Sequence, residues 1–209
     1  MSVKSIQDPY HPVHYPLLIV ISGPSGVGKD SVVKKLQQQA HPFHFVVTAN
    51  SRPARPDEVN GVDYFFVTDA EFEELIRNDE LLEHAIVYGQ HKGVPKRQVR
   101  EAFASNKDVV MRLDVQGAIT VKRMVPEAVL IFLNATSEGE LRRRLQQRGT
   151  ETESEIAHRL EVTTTEFDCL AEFDYLIFNH QNQLASAVEE IMCIVTSEHA
   201  RTQPRQAVL

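Results

Sequence analysis

The nine residues GPSGVGKDS at 23–31 leave the chain few choices of fold. They follow a continuous apolar run, LLIVIS (17–22), and open the helical pattern DSVVKKLQQQ (30–39). An unbroken apolar run ending in glycines marks a strand buried on both faces, as in a parallel sheet. Gly23 and Gly28 bracket Pro24, Ser25, Gly26 and Val27, and Lys29 follows. The glycines let successive backbone N–H groups turn inward. With the N-terminus of the next helix these form a cradle for phosphate oxygens. Lys29 brings a point charge to the β- and γ-phosphates. A plain glycine-rich turn is the competing reading. Strand, spacing, lysine and helix all agree instead on a nucleoside triphosphate site made by Gly23, Pro24, Ser25, Gly26, Val27, Gly28, Lys29, Asp30 and Ser31. One residue departs: Asp30 stands where such a loop carries a serine or threonine that touches magnesium.

The alternation continues. DVVMRL (108–113), VLIFLN (129–134) and DYLIFN (174–179) read as further buried strands. Helical patterns at 115–124, 138–147, 154–171 and 182–198 separate or follow them. This order predicts an α/β fold, a phosphate-loop NTPase-type core with a mainly parallel sheet flanked by helices. Residues 45–100 break the rhythm with short extended pieces, a RPARPDEVNG loop and a short helix opened by Thr68 and Glu71 as a capping box. They read as an insertion on the core. Open sheets of this kind bind ligands beyond the carboxyl ends of their strands, where the loop at 23–31 begins.

A chain of 209 residues suits one globular domain with a mobile insertion. Its net charge of -7 gives no global basic footprint, so no nucleic-acid partner is expected. No apolar run approaches the roughly 20 residues needed to cross a bilayer, so no membrane partner is expected either. Residues 1–16 lack the apolar centre of a secretory signal and read as a flexible extension; RTQPRQAVL at the other end reads as a tail. Cys169 and Cys193 sit among apolar residues without metal-type spacing and read as reduced core thiols of a cytoplasmic protein. His44, His84, His91 and His158 show no metal-ligand spacing and read as satisfied or exposed histidines. The oligomeric state is left open.

Four more stretches follow the loop in order: SRPARPDEVNGVDYFF (51–66), LLEHAIVYGQHKGVP (81–95), LDVQG (113–117) and LRRRLQQRGTETESEIAHRL (141–160). With the loop they make the chain resemble the guanylate kinase family from about residue 17 to 198. The resemblance implies ATP-dependent phosphorylation of GMP to GDP with Mg2+, and ATP and GMP as small-molecule partners. It implies an ATP-binding core (17–44, 101–137 and 161–198), an inserted GMP-binding domain (45–100) and a helical lid (138–160). Arg52, Arg55 and Tyr64 match the holders of the GMP phosphate. Thr48 and Glu83 match residues that contact guanine, and Asp114 matches a neighbouring aspartate. Lys29, with Arg144, Arg148 and Arg159, matches the residues facing the transferred group. The chemistry agrees. Guanine presents N1–H and an exocyclic amino group side by side, which one ionised carboxylate accepts together, and arginine forks fit phosphate bidentately. Read singly, the arginines also suit a solvated helix face or loop.

Three positions depart from the family pattern. Asp30 replaces a hydroxyl, Lys92 falls where a tyrosine contacts the GMP phosphate, and Arg112 falls where an aspartate stands. The reciprocal change of charge at 30 and 112 predicts that the two pair, with Asp30 taking the hydroxyl's place beside magnesium. A simple salt bridge is the alternative. The GKDS loop also resembles that of ribose 1,5-bisphosphate phosphokinases, and a non-catalytic guanylate-kinase-like interaction domain is a rival of another class.

Overall fold

The apolar run at 17–22 becomes the central strand of a five-stranded parallel sheet. The computed structural model describes residues 15–87, 89–149 and 152–207. Along the chain run β1 (Leu18–Ser22), α1 (Lys29–Leu36), β2 (Phe43–Phe45), β3 (Ala49–Asn50), β4 (Phe65–Phe66), α2 (Asp69–Arg77), β5 (Leu81–Val87), β6 (Gln90–Pro95), α3 (Lys96–Ala104), β7 (Asp108–Arg112), α4 (Val115–Met124), β8 (Val129–Asn134), α5 (Glu138–Arg148), α6 (Glu153–Phe167), β9 (Tyr175–Phe178) and α7 (Leu184–His199). The main sheet has the order β2-β7-β1-β8-β9, parallel throughout, with Ile19 level with Val110 on one side and Val129 on the other.

Side chains alternate across a strand, so β1 feeds two cores at once. Leu17, Ile19 and Ile21 pack with Val32 and Leu36 of α1, Leu141 and Leu145 of α5, and Ile191 of α7. Leu18 and Val20 pack with Val99 of α3 and with Ala118 and Val121 of α4. Each fully buried aliphatic side chain contributes about 1.5–3 kcal/mol. The fold therefore holds β1, and the loop it launches, from both faces.

The region that breaks the alternation forms a second, mixed sheet of order β4-β3-β6-β5. Its small core is Ala49, Phe72 and Leu81, with the His91 ring stacked on Phe72 at 5.0 Å. The expected capping box forms: Thr68 accepts from the Glu71 amide, and Glu71 accepts from the Thr68 amide at 2.7 Å. Helix α3 was not foreseen, and a division at residue 100 runs through it. Its Val99 and Ala102 are fully buried in the main core.

Other expectations need amending. The pattern at 154–171 stops at Phe167 and yields a separate 3-10 turn at Leu170–Glu172, from which Phe173 packs edge-on against Phe132 at 5.0 Å. The stretch after α7 is a docked segment: Arg205 pairs with Glu198 at 2.8 Å and Asp174 at 3.3 Å. The extension falls largely on residues 1–14, outside the described residues. Both cysteines are unbridged, but Cys193 faces solvent and Cys169 is half-buried, so neither is a core thiol. Among the described residues, no helix is long and apolar enough to cross a membrane.

Candidate nucleotide site

The phosphate loop forms as its residues require. Gly28 has φ 97°, a conformation that favours glycine, and a Cβ there would lie 2.5 Å from Asn179 Nδ2. Val27 is buried beneath the loop, and its carbonyl accepts from Asn179 Nδ2 at 2.8 Å and Arg144 Nη1 at 2.9 Å. Ser25 Oγ accepts from Arg159 Nη1 at 2.6 Å. Lys29 folds back on its own loop, donating to the carbonyls of Gly23 at 2.5 Å and Pro24 at 2.9 Å. Burial lowers its pKa to about 8, against the opposing pull of Glu166. Ser31 points to solvent from α1.

Two adjoining cavities meet at the loop and share Ser25, Lys29, Tyr64 and Lys92. The first also holds Thr48, Glu83, Arg112, Asp114 and Glu166; the second, Gly26, Gly28, Asp30, Arg52, Arg55 and Arg159. One cleft thus gathers the loop and most of the residues singled out in the sequence.

Glu83 sits on β5 with 6% of its surface exposed. Burial, then the Asp114 carboxylate, push its pKa up to about 8, while Lys92 opposes the rise. The first turn of α4 approaches it so closely that a Cβ on Gly117 would lie 3.0 Å from Glu83 Oε2. Asp114 caps that helix, accepting from the Gly117 amide at 3.0 Å. Thr48 is buried in the same cavity. Lys92 lies on β6 between the two cavities, and burial lowers its pKa.

The arginine loop is pre-organised by a residue that sequence reading passed over. Glu58 accepts both nitrogens of the Arg52 fork at 2.6 Å each, and the Arg55 amide at 2.9 Å. Burial would raise the Glu58 pKa, but these bonds hold it below the ordinary value. An acid three residues after Arg55 and six after Arg52 was the available signal. Tyr64 lies next to this group, its pKa raised by burial.

The predicted pair is present. Arg112 Nη1 donates to Asp30 Oδ1 at 2.7 Å, and Nη2 donates to the Asp63 carbonyl at 2.7 Å. The guanidinium also stacks 4.3 Å above the Tyr64 ring. Arg112 therefore joins the start of α1 to the inserted region as well as neutralising Asp30.

One arginine stands differently from expectation. Arg144 lines neither cavity; it holds the Val27 carbonyl, donates to the Asn179 carbonyl at 2.6 Å and pairs with Glu140. Its charge braces the loop from α5 because Val27 and Asn179 leave carbonyls that need donors. The Arg148 side chain lies outside the described residues. Sequence reading also missed Glu166 of α6. Its Oε2 is buried with no hydrogen-bond partner, and burial raises its pKa against the pull of Lys29. Nothing in its local sequence marked it.

Parallel sheet, glycine loop and converging cations define a nucleotide-binding α/β protein of the phosphate-loop class. The guanylate kinase family model matches residues 15–198. The chain is 45% identical over 199 residues to guanylate kinase 2, chloroplastic/mitochondrial, of Oryza sativa subsp. japonica, covering 95% of this chain and 70% of that one. It is 46% identical over 188 residues to guanylate kinase of Bacillus cereus, covering 90% and 91%. The crystal structure of guanylate kinase from Anaplasma phagocytophilum superposes with a TM-score of 0.75 at 30% identity, over 90% of this chain and 88% of that one. The chain belongs to the guanylate kinase family.

Proposed function

We infer that the chain is a nucleoside monophosphate kinase that transfers the γ-phosphoryl group of ATP to GMP, giving GDP and ADP. The observation that carries the reading is Glu83, a buried carboxylate in a cavity that reaches the phosphate loop. Adenine offers no pair of adjacent donors, and a sugar phosphate has no need of such an acceptor. Thr48 and Asp114 share that cavity, and we assign them to the guanine end. We assign Arg52, Arg55, Tyr64 and Lys92 to the GMP phosphate; an ammonium at 92 is also a phosphate donor. The loop 23–31 takes the ATP phosphates, with Lys29 leaving its own carbonyls for them. Arg159 lines the cavity at the loop and fits the transferred group. Arg144 acts through the loop it braces, and Arg148 completes the lid.

Phosphoryl transfer asks little covalent chemistry of a protein. It needs two phosphates in line, excluded water and cations around the spreading charge. The lid (138–160) and the GMP-binding insertion (45–100) close over the core to supply these conditions. Asp30 offers the hard oxygen that Mg2+ accepts, directly or through water, when phosphates and water complete the shell. A magnesium ion held there would supply positive charge to offset that of the phosphates. Cytoplasm is the compartment we propose, from the unbridged cysteines.

An ADP-coupled assay with ATP, Mg2+ and a panel of GMP, AMP, UMP and ribose 1,5-bisphosphate tests this. Turnover with GMP foremost is expected. Turnover with the sugar phosphate but not GMP, or with no acceptor, would refute it.

A further inference from the structure

At the end of the main sheet remote from the phosphate loop, three side chains from three elements converge. Asp108 opens β7, His41 precedes β2, and His199 closes α7. Nε2 of His41 and Nε2 of His199 each lie 2.7 Å from Asp108 Oδ2, and the three donor atoms are all within 4.8 Å of one another. These residues are 67 and 91 positions apart, so no local spacing announced them. We propose that His41, Asp108 and His199 bind a transition-metal ion, Zn2+ or Co2+ in kind, which clamps the end of α7 to the sheet.

The donor set selects the metal. Two imidazole nitrogens and one carboxylate oxygen suit Zn2+ and Co2+, whereas Mg2+ and Ca2+ prefer an all-oxygen shell. The site is also built. Asp108 has only 1% of its side chain exposed, and its second oxygen, Oδ1, accepts from the Leu17 amide at 2.8 Å. That bond fixes the carboxylate and leaves Oδ2 aimed between the rings, as outer-shell partners of metal ligands do. The His41 ring rests on Phe43 with centroids 4.4 Å apart. The imidazoles keep 25% and 22% of their surface exposed, which gives an ion and its water a way in.

The 2.7 Å separations are those of hydrogen bonds. Ligands about 2.0–2.1 Å from a tetrahedral ion stand about 3.3 Å apart, so each imidazole must withdraw by roughly half an ångström. Each Nε2 must also give up its proton. A neutral ring moves it to Nδ1 with no net release, and a protonated ring loses one proton to solvent. The trio is thus hydrogen-bonded without metal and coordinating with it. Along β1 and β7 the cluster is about 13 Å or more from the phosphate loop, too far to share in phosphoryl transfer.

The full chain, stripped with a chelator, is titrated with Zn2+ by calorimetry and with Co2+ by absorption. One saturable site per chain is expected, with tetrahedral Co2+ absorption and no thiolate charge-transfer band that would implicate Cys169 or Cys193. At a hundredfold excess of free Zn2+ over its dissociation constant, Tm should rise by about 5 °C or more, and Mg2+ should not reproduce the rise. His41→Gln and His199→Gln should each weaken binding at least about 100-fold and leave the rate of ADP formation with GMP within about twofold. Absence of binding to the wild-type chain, a thiolate band, or undiminished binding by both variants would overturn the proposal. If both variants fail to fold, X-ray absorption at the zinc edge of the wild-type complex decides: two imidazoles support the site, and any other count refutes it.

Discussion

Replacing Glu83 by glutamine should make the protein more stable at neutral pH and a poorer GMP enzyme. The carboxyl is buried, and burial with the neighbouring Asp114 lifts its pKa from 4.5 to about 8. Between those values the native state holds a proton that the unfolded chain has released. The unfolded state then binds fewer protons, so stability falls as pH rises through that window, by about 1.4 kcal/mol per pH unit. At pH 7 the deficit is 7 − 4.5 = 2.5 units from the ordinary value, or about 3 kcal/mol. A glutamine has no such proton to lose and nearly the same shape. Urea unfolding of both proteins from pH 5 to 8.5 measures the difference. The curves should nearly coincide at the acid end, and the variant should gain on the wild type until about pH 8. Parallel pH profiles would refute the reasoning, since they would mean that Glu83 ionises in the folded protein as freely as in the unfolded chain. The same variant turns an amide NH2 toward guanine's own donors. The KM for GMP should therefore rise about tenfold or more, equivalent to 1.4 kcal/mol per decade.

Guanine donors favour the ionised carboxylate, so GMP affinity of the wild type should improve between pH 6 and 8, by up to about tenfold per unit, and level off above; a flat profile by calorimetry would count against Glu83 as the reader of guanine. Asp30→Ser and Arg112→Asp should each lower activity and stability, and the double variant should recover a good part of both, with a coupling of about 1–3 kcal/mol in urea unfolding; additive losses would mean that the 2.7 Å contact carries no coupling. Glu58→Ala frees Arg52 and Arg55 from their shared acceptor and should raise the KM for GMP several-fold with a smaller change in kcat, as steady-state kinetics would reveal.

What could be read in advance was what local pattern carries. The loop, the buried strands and the helix at 115–124 follow from apolar periodicity and glycine placement, and α4 spans those same residues. The pairing of Asp30 with Arg112 was legible for another reason: two reciprocal changes of charge, one just after the phosphate loop and one at a strand end, predict one contact. Tertiary geometry hid the rest. Arg144 carries the same charge as Arg159, and only the carbonyls of Val27 and Asn179 decide that it braces the loop. Glu166 is one acid in a helix with several, distinguished by which turn of α6 faces Lys29. Strand β2 has only three residues, too few for periodicity to show, and owes its place to pairing with β7.

Lys29, held by two carbonyl oxygens of its own loop, makes nucleotide entry an exchange of partners. Those carbonyls take two of the three N–H donors, so an anion gains more than one contact with the ammonium only by displacing oxygens that already solvate it. A single orthophosphate offers the ammonium little beyond what those carbonyls give. A polyphosphate engages the loop amides at the same time, and the displaced carbonyl contacts are offset by several new ones. The loop should therefore favour a phosphate chain over a single orthophosphate. The arriving charge also favours the protonated amine, so above pH 8 nucleotide capture should draw one proton from solvent.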